Sequence, residues 1–398
     1  MIASEIKSPR VAVAVGSFLG YTNAWIYRQV TGEPSRASLV LCGHREGERE
    51  FPFDPVICCP DRPPRLFRKV RGKLWKVFRH APPRLSRSRR YTYRRALMAH
   101  RIELVHAHFG TVGAQYAALC REMGIPLIQT IHGHDITSSW RRWPAYAELM
   151  RRLFHECPFF VVISQEMGRR LESLGCPRDR IRVSYLGVPL DEFPFIQRGD
   201  RRGPVRFLHA GRLAEKKGVP DLVRAFSKAF PESGTAMLDI VGEGEERAQV
   251  EAAIQECQPS NPVTLRGKLS IADLAEARAA ADVFVLNCRT DSHGTQEGLP
   301  ISTLEAACTG LPAISTFHAG IPESIRDGET GVLVVERDHE ALVIALRQML
   351  DRNRRLAMGR SARDFMERVF GVRACNAILG QLYREAVASW EIGAHQTR

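Results

Sequence analysis

The sequence predicts an α/β protein of two successive domains, each a parallel sheet covered on both faces by helices. Three observations carry this expectation. The chain, at 398 residues, is too long for one ordinary domain. From Ile102 onward, short apolar runs alternate with segments of helical period, the pattern of βαβ units. The alternation pauses over residues 191–204, a stretch of Pro, Gly and charge that reads as a linker, and then restarts.

Each element follows in order. Arg10–Val15 is a first buried strand, and Gly16-Ser-Phe-Leu-Gly20-Tyr21-Thr22-Asn23 leads from it into a helix through Trp25 and Val30. Glycine in such a loop lets backbone approach a ligand, but the spacing is not G-x-G-x-x-G, so no dinucleotide fingerprint is read. Ser38–Cys42 and Pro55–Cys58 are further strands. Ile102–Ala107 is a strand running into His106-Ala-His108-Phe109-Gly110, and Gly113–Met123 is a helix ended by Gly124. The strand Pro126–Thr130 precedes His132-Gly-His134-Asp135. After the strand Phe159–Ile163, Ser164 caps a helix to Leu174, closed by Gly175, and Ile181–Tyr185 is the last strand of this half. In the second half the strands are Val205–Ala210, Ala236–Val241, Val263–Arg266, Val283–Leu286, Pro312–Ser315 and Val332–Val335. Open α/β sheets bind ligands at the carboxyl ends of their strands, so the cleft between two such domains is the expected site.

Composition narrows the setting. No run of 18 apolar residues exists, so no transmembrane helix is expected, and Val11–Val15 is too short, and lacks the cleavage site, for a signal peptide. Ten scattered cysteines without a Cys-x-x-Cys pair argue against zinc and against a disulfide framework, and for a reducing cytoplasm. The net charge of +13 is local: residues 62–95 hold 14 Lys/Arg and no acid, and the remaining 43 basic and 44 acidic residues nearly cancel. Within that tract Leu66, Phe67, Val70, Leu74, Val77 and Phe78 recur at helical spacing. Arg65, Arg68, Lys69, Lys73, Lys76 and Arg79 fill most other positions, and Trp75 adds an interfacial aromatic. This is the profile of a helix on an anionic membrane surface, with a docked helix showing a solvated basic face as the alternative. Nucleic acid is not expected, since no nucleic-acid fold pattern accompanies the charge.

The chemistry concentrates in two stretches. Glu297-Gly298-Leu299-Pro300-Ile301-Ser-Thr-Leu-Glu305 reads as a loop turning into a helix, with Pro300 at its first position and Gly310 at its C-terminal cap. Ile301, Leu304, Glu305 and Cys308 share one face, so Glu305 stands where an apolar residue belongs and requires partners. Glu297 precedes a helix N-terminus, which favours anions. Gly211-Arg212-Leu-Ala-Glu-Lys216-Lys217-Gly218 lies at the carboxyl end of the second half's first strand. Arg212 and Lys217 suit phosphate oxygens; the adjacent Lys216 leaves open which lysine reaches them, with the one before Gly218 preferred. The set fits a nucleoside diphosphate carrying a hydroxyl-rich group, with Glu305 on the ribose, Glu297 on the attached group, and no need for a metal. The alternative for Glu305 is an ion pair with an arginine inside the second domain.

Glu297-x7-Glu305 followed by Ala306-Ala-Cys-Thr-Gly310-Leu-Pro312 resembles the pattern of retaining glycosyltransferases of family 4. Gly211-Arg212…Lys217-Gly218, Val241-Gly-Glu-Gly244, Gly320-Ile-Pro-Glu323, His106-Ala-His108-Phe109, Thr130-Ile-His132-Gly-His-Asp135 and Val162-Ile-Ser164 match in the same order. The resemblance is good over about residues 100–370 and poor over 35–100, and it is nearest the bacterial exopolysaccharide and colanic-acid-type subgroup. Tyr185-Leu-Gly-Val-Pro-Leu-Asp191 carries one residue more than that pattern.

The resemblance implies a GT-B fold: two Rossmann-like domains, 1–196 and 197–373, facing across a cleft, with a C-terminal helix within 374–398 packing back on the first. It implies a metal-independent hexosyltransferase moving sugar, with retention, from a UDP- or GDP-sugar to a lipid-linked or saccharide acceptor. Arg212 and Lys217 would bind the diphosphate, Glu305 the ribose, Glu297 the sugar, backbone at Arg266–Leu269 the base, and Gly298, Leu299, Pro300 and Ile301 the donor through their backbone. Gly20 would lie under the reacting carbon, Tyr21 and Thr22 on the acceptor side, and His132 against the donor sugar. Arg68, Lys69, Lys73, Trp75 and Lys76 would meet the acceptor's membrane, at the inner face of the plasma membrane. A sugar-nucleotide epimerase, a pyridoxal phosphorylase of this architecture, or a non-catalytic membrane-surface protein are the competing expectations.

Overall fold

A run such as Val11-Ala-Val-Ala-Val15 has no polar side to offer water, so it forms a strand buried on both faces. The computed structural model describes residues 8–19, 24–60, 84–199 and 203–396. The chain divides into unit 1, Met1–Gly187 with Val372–Arg398, and unit 2, Val188–Gly371.

Unit 1 contains β1 (Val11–Phe18), β2 (Leu39–Arg45), β3 (Val56–Cys58), β4 (Leu104–His108), β5 (Leu127–Ile131), β6 (Phe160–Val162) and β7 (Ile181–Val183). They form one parallel sheet in the order β3-β2-β1-β4-β5-β6-β7. Unit 2 contains β8 (Val205–Ala210), β9 (Ala236–Val241), β10 (Val263–Gly267), β11 (Val283–Val285), β12 (Ala313–Thr316) and β13 (Gly331–Val334), also parallel, in the order β10-β9-β8-β11-β12-β13. Both are Rossmann-like. The order in which strands are added reverses between β1 and β4 in one sheet and between β8 and β11 in the other, and such switch points leave crevices at the strands' carboxyl ends.

The strands lie where the apolar runs predict them, with ends differing by three residues or fewer. The helix after β4 begins at Gly110 rather than Gly113, because Phe109 adopts φ +73° and turns the chain directly out of the strand. Ser164 caps the helix Gln165–Ser173 as expected, accepting the Met167 N–H at 3.2 Å. The expected linker 191–204 belongs, where described, to unit 2. Arg198 ties it there by donating to the carbonyls of Ala281 (2.8 Å), Thr309 (2.7 Å) and Arg278 (3.1 Å). The loop residues Gly20, Tyr21 and Thr22, and the basic segment with Arg68, Lys69, Lys73, Trp75 and Lys76, lie outside the described residues. No described helix is long and apolar enough to cross a membrane.

The C-terminal helix Val372–Gln396 packs Leu379, Leu382, Tyr383 and Ala386 into the core of unit 1 with Val11, Val13 and Val15. It also completes a buried polar chain: the Tyr383 hydroxyl lies 2.8 Å from His106 Nδ1, and Thr130 Oγ1 lies 2.7 Å from Nε2. Burial lowers the His106 pKa to about 3, so the ring is neutral and each hydroxyl adapts to its tautomer. Tyr383→Phe strands one ring nitrogen in the core. It is expected to destabilise the fold by about 1–3 kcal/mol in urea titration, and an unchanged midpoint refutes the bond's contribution.

Candidate active site

The carboxyl end of β8 carries the loop Gly211–Gly218. It runs beside the loop after β9, with Gly211 N–H donating to Val241 O, Leu213 N–H to Glu243 O and Glu246 N–H to Leu213 O, at 3.0, 3.0 and 2.9 Å. Only glycine permits this approach: a Cβ on Gly242, whose φ is +138°, would lie 1.9 Å from the Gly211 carbonyl oxygen. A short turn, Glu215–Lys217, then reverses at Gly218 (φ +58°) into the helix Val219–Ala229. This turn sends Lys217 inward, its side chain 10% exposed.

Lys217 meets Glu297, which arrives on the long loop between β11 and the helix Ile301–Cys308. Glu297 Oε1 lies 3.1 Å from Lys217 Nζ and 2.8 Å from Lys216 Nζ, and the carboxylate is 12% exposed. Both lysines therefore reach the site, where the sequence favours Lys217. Burial alone would push the Glu297 pKa up, but Lys217 and Lys216 outweigh it and hold it at about 2. Burial disfavours the Lys217 ammonium, yet Glu297 more than compensates and its pKa is raised. Two ammoniums on one carboxylate leave a net positive centre at the switch point. Beside it, His209 Nδ1 donates to Val285 O (3.1 Å), and burial together with Lys217 lowers its pKa to about 4.

The Glu297 backbone is also held. Its N–H donates to His318 Nε2 at 3.1 Å, and the Gly320 N–H donates to Gly298 O at 3.1 Å. His318 Nδ1 lies 2.6 Å from Glu336 Oε1, and the other oxygen of Glu336 accepts the Thr290 N–H at 2.8 Å. Arg289, at the loop's start, donates to Glu215 O (3.0 Å) and pairs with Asp221. Leu299 and Pro300 are buried, and the helix starts at Ile301 with Pro300 as an extended N-cap, one residue later than the sequence predicts.

The other expected donor residues are placed differently. Arg212 is 71% exposed and pairs with Glu245 at 3.0 Å, away from the Lys217–Glu297 contact. The buried face of the helix is Thr303, Leu304, Ala306, Ala307 and Cys308, while Ile301 and Glu305 are half-buried at its margin. The expected stripe is thus corrected: other elements cover the helix from the Ala306–Ala307 side as well. Glu305 lies 3.7 Å from Arg278, a buried arginine stacked on Phe193. Arg266 pairs with Asp239 at 3.6 Å, and Leu269 packs against the core around Leu208 and Ala210.

In unit 1 the switch point gathers histidines. His108 ends β4 and His132 follows β5, with Nδ1 of the first 3.3 Å from Nε2 of the second. Trp25 and Phe109 pack on the His132 ring at centroid distances of 4.5 and 4.6 Å. Burial first, then neighbouring imidazoles, holds the pKa of His108 and His132 well below the ordinary value, so both are neutral. The buried Asp135 accepts the backbone N–H of His132 at 2.9 Å, so it shapes the loop and does not bind the ring. Sequence reasoning named Trp25 only as part of a helix. It missed His318, two residues ahead of a quoted motif, and Glu336, which no local pattern marks. Among the described residues no three His, Cys, Asp or Glu side chains cluster as a metal set.

The charge balance is testable. An ionised Glu297 with a depressed pKa stabilises the fold fully above its unfolded value near 4.5 and loses that contribution as pH falls toward 2. Glu297→Gln is expected to be less stable than the wild type by on the order of 3 kcal/mol above pH 5. The gap, followed by urea denaturation from pH 5 downward, should narrow; a constant gap refutes the ionised triad.

Two family models cover the chain in succession: glycosyltransferase family 4 matches residues 49–192, and glycosyl transferases group 1 matches residues 194–365. The chain is 31% identical over 288 residues to the putative colanic acid biosynthesis glycosyltransferase WcaL of Escherichia coli, covering 71% of this chain and 70% of that one. It is 28% identical over 284 residues to a GDP-mannose-dependent α-(1-6)-phosphatidylinositol monomannoside mannosyltransferase of Mycobacterium tuberculosis, 69% of this chain and 73% of that one. The solved structure of HepE from Anabaena, in complex with UDP and glucose, shares the fold with a TM-score of 0.75 at 16% identity, over 94% of this chain and 99% of that one. The two sheets, their switch points and these matches lead to one conclusion: the chain belongs to glycosyltransferase family 4 and is a glycosyltransferase of the GT-B fold, related to those of exopolysaccharide synthesis.

Proposed function

We propose that this glycosyltransferase is a retaining, metal-independent hexosyltransferase that uses a UDP- or GDP-sugar and glycosylates a lipid-linked or saccharide acceptor of a surface polysaccharide. The observation that carries the reading is the convergence of Lys216 and Lys217 on Glu297 at the switch point of unit 2. Relatives support the donor class in their own names, one using GDP-mannose and another holding UDP.

In this reading Lys217, Arg212 and the backbone N–H groups of Gly298, Leu299 and Ile301 take the diphosphate, with Pro300 shaping the turn between them. Glu305 accepts from the ribose, backbone at Arg266–Leu269 faces the base, and Glu297 accepts from the sugar's hydroxyls. From unit 1, His132 is assigned a hydroxyl of the reacting sugar, Gly20 the reacting carbon, and Tyr21 and Thr22 the acceptor. The bond from the anomeric carbon to the β-phosphate oxygen breaks, and the acceptor oxygen bonds to that carbon on the same face. The acceptor's proton goes to the departing phosphate oxygen. Charge grows on the diphosphate as the bond breaks, and cations held in place before reaction stabilise it without reorganising. Lysine ammoniums supply that charge here, which makes a metal unnecessary.

The acceptor's setting is read from the basic tract, whose described end is the helix Arg87–Ala99. It contains no acidic residue. Arg87, Arg90, Arg94 and Arg95 are exposed, together with Tyr91 (64%) and Met98 (62%), a pairing of cations with interfacial side chains that suits an anionic bilayer. With Arg68, Lys69, Lys73, Trp75 and Lys76 it forms the proposed contact with the inner face of the plasma membrane.

Incubation with a panel of UDP- and GDP-sugars tests the donor, since a bound ligand at a hundred times its Kd raises stability by about 2.7 kcal/mol. Absence of any shift and of nucleotide release across the panel defeats the reading. Glu305→Ala is expected to weaken UDP or GDP binding at least about ten-fold in calorimetry, as a hydrogen bond to a charged group contributes about 1.5–3 kcal/mol; unchanged affinity removes it from the ribose. Replacing Arg87, Arg94 and Arg95 with glutamine should reduce sedimentation with phosphatidylserine vesicles while leaving nucleotide binding intact, and undiminished sedimentation excludes this helix from the membrane contact.

A further inference from the structure

We infer that His318 and Glu336 are positioning residues that set the orientation of Glu297 through its backbone. His318 is fully buried in the turn after β12, so each ring nitrogen there needs a hydrogen-bond partner. A backbone amide only donates, so Nε2, 3.1 Å from the Glu297 nitrogen, must present its lone pair. The ring proton is then on Nδ1, directed at Glu336 Oε1 at 2.6 Å, an acceptor when ionised. The second oxygen of Glu336 accepts the Thr290 N–H, and the neighbouring Arg337 donates to Thr290 O at 2.9 Å. One carboxylate at the end of β13 thus grips both ends of the loop 290–297, directly at one end and through an imidazole at the other. Burial raises the Glu336 pKa, but the His318 and Thr290 bonds outweigh it and leave it lowered, which keeps the acceptor charged.

The consequence lies in direction. The peptide plane that carries the Glu297 N–H is fixed by His318, and the carbonyl of the following residue, Gly298 O, accepts the Gly320 N–H at 3.1 Å. With its backbone clamped on both sides, the Glu297 side chain has few ways to point, and the one adopted places Oε1 on Lys216 and Lys217. Orientation of this kind affects turnover more than ground-state binding, because small displacements of a positioned group cost rate. The inference rests on the proposed role of Glu297 against the donor sugar.

The test uses three variants of the full chain. Glu336→Gln offers one acceptor oxygen where two are needed. Its amide group then opposes the Thr290 N–H, or else forces the His318 proton onto Nε2 against the Glu297 N–H. His318→Leu removes the acceptor at similar size, and His318→Gln restores an oxygen near the place of Nε2. The readout is nucleoside diphosphate release from UDP-glucose or GDP-mannose without an acceptor, whichever the wild type turns over. Loss of one hydrogen bond with a charged partner predicts a kcat about ten-fold lower or more in His318→Leu and Glu336→Gln, with KM changed less than about two-fold. His318→Gln should recover most of the rate. The thermal midpoint should fall in His318→Leu and Glu336→Gln, which strand a buried polar partner, and recover in His318→Gln, while the affinity for UDP or GDP stays near that of the wild type in all three. In 15N-histidine spectra the signal lost in His318→Gln should be protonated at Nδ1 and not at Nε2.

Protonation at Nε2 overturns the inference, as does an unchanged kcat in Glu336→Gln and His318→Leu. Parallel loss of thermal midpoint, nucleotide affinity and kcat, without recovery in His318→Gln, also overturns it by making the role merely structural. A wild type that shows neither a thermal shift with any sugar nucleotide nor nucleotide release from one defeats the proposed function itself, and with it this inference. An active wild type whose variants are unimpaired defeats only this inference.

Discussion

A carboxylate taken out of water must be compensated at close range, and Glu297 is the point in unit 2 where that requirement shapes the backbone. Its partners, Lys216 and Lys217, come from a loop about 80 residues earlier in the chain, so the loop after β8 has to reach the loop after β11. The sheet makes this possible, since β8 and β11 are adjacent although β9 and β10 separate them in sequence. The remaining contacts serve the same approach. Gly218 brings its backbone against Asn287, whose side-chain amide donates to Gly218 O at 3.1 Å, and the Arg289 N–H donates to Lys216 O at 2.9 Å. Displacing either loop would leave a buried charge alone, which costs about 3–5 kcal/mol.

Unit 1 has the same strand order around its switch point and fills it with the opposite chemistry. His106, His108 and His132 are neutral, and they sit among Trp25, Phe109, Tyr383 and hydroxyls, with no cation in the cluster among the described residues. One topology therefore supports a charged centre in unit 2 and a neutral, hydrogen-bonding aromatic centre in unit 1.

The fold was legible because its signal is local. Thirteen apolar runs bounded by glycine, proline and polar residues gave the strands, and alternation gave their parallel pairing. The site was legible in part. Glu297, Lys217 and Glu305 stood out as charges in places that expose their cost. Glu305 was placed on the wrong ground, since projection on a helix assumes one buried side, and this eight-residue helix is covered more widely. Arg212 was named for its chemistry, and its actual partner, Glu245, comes from the neighbouring strand's loop, which no spacing within the Gly211–Gly218 stretch reveals. His318 and Glu336 escaped for a related reason. Their meaning lies in two hydrogen bonds made to a loop about 20 and 40 residues before them, and sheet neighbours carry no short-range sequence pattern.

The cations of unit 2 differ in how firmly they are committed. Lys217 is buried and cannot leave Glu297 without exposing both to the cost of an unpaired interior charge. Arg212 holds Glu245 at the surface, where an ion pair contributes only about 0.2–1 kcal/mol, so little free energy commits it to that partner. The buried lysine is thus preorganised before any anion arrives, whereas the exposed arginine is an exchangeable charge on a long side chain. A centre built this way keeps its geometry from the Glu297 ion pair and its adaptability from Arg212. The separation explains why the two residues, neighbours in one loop, have such unequal surroundings. A loop that buried both would raise the cost of the empty site, and a loop that exposed both would leave Glu297 without its partner.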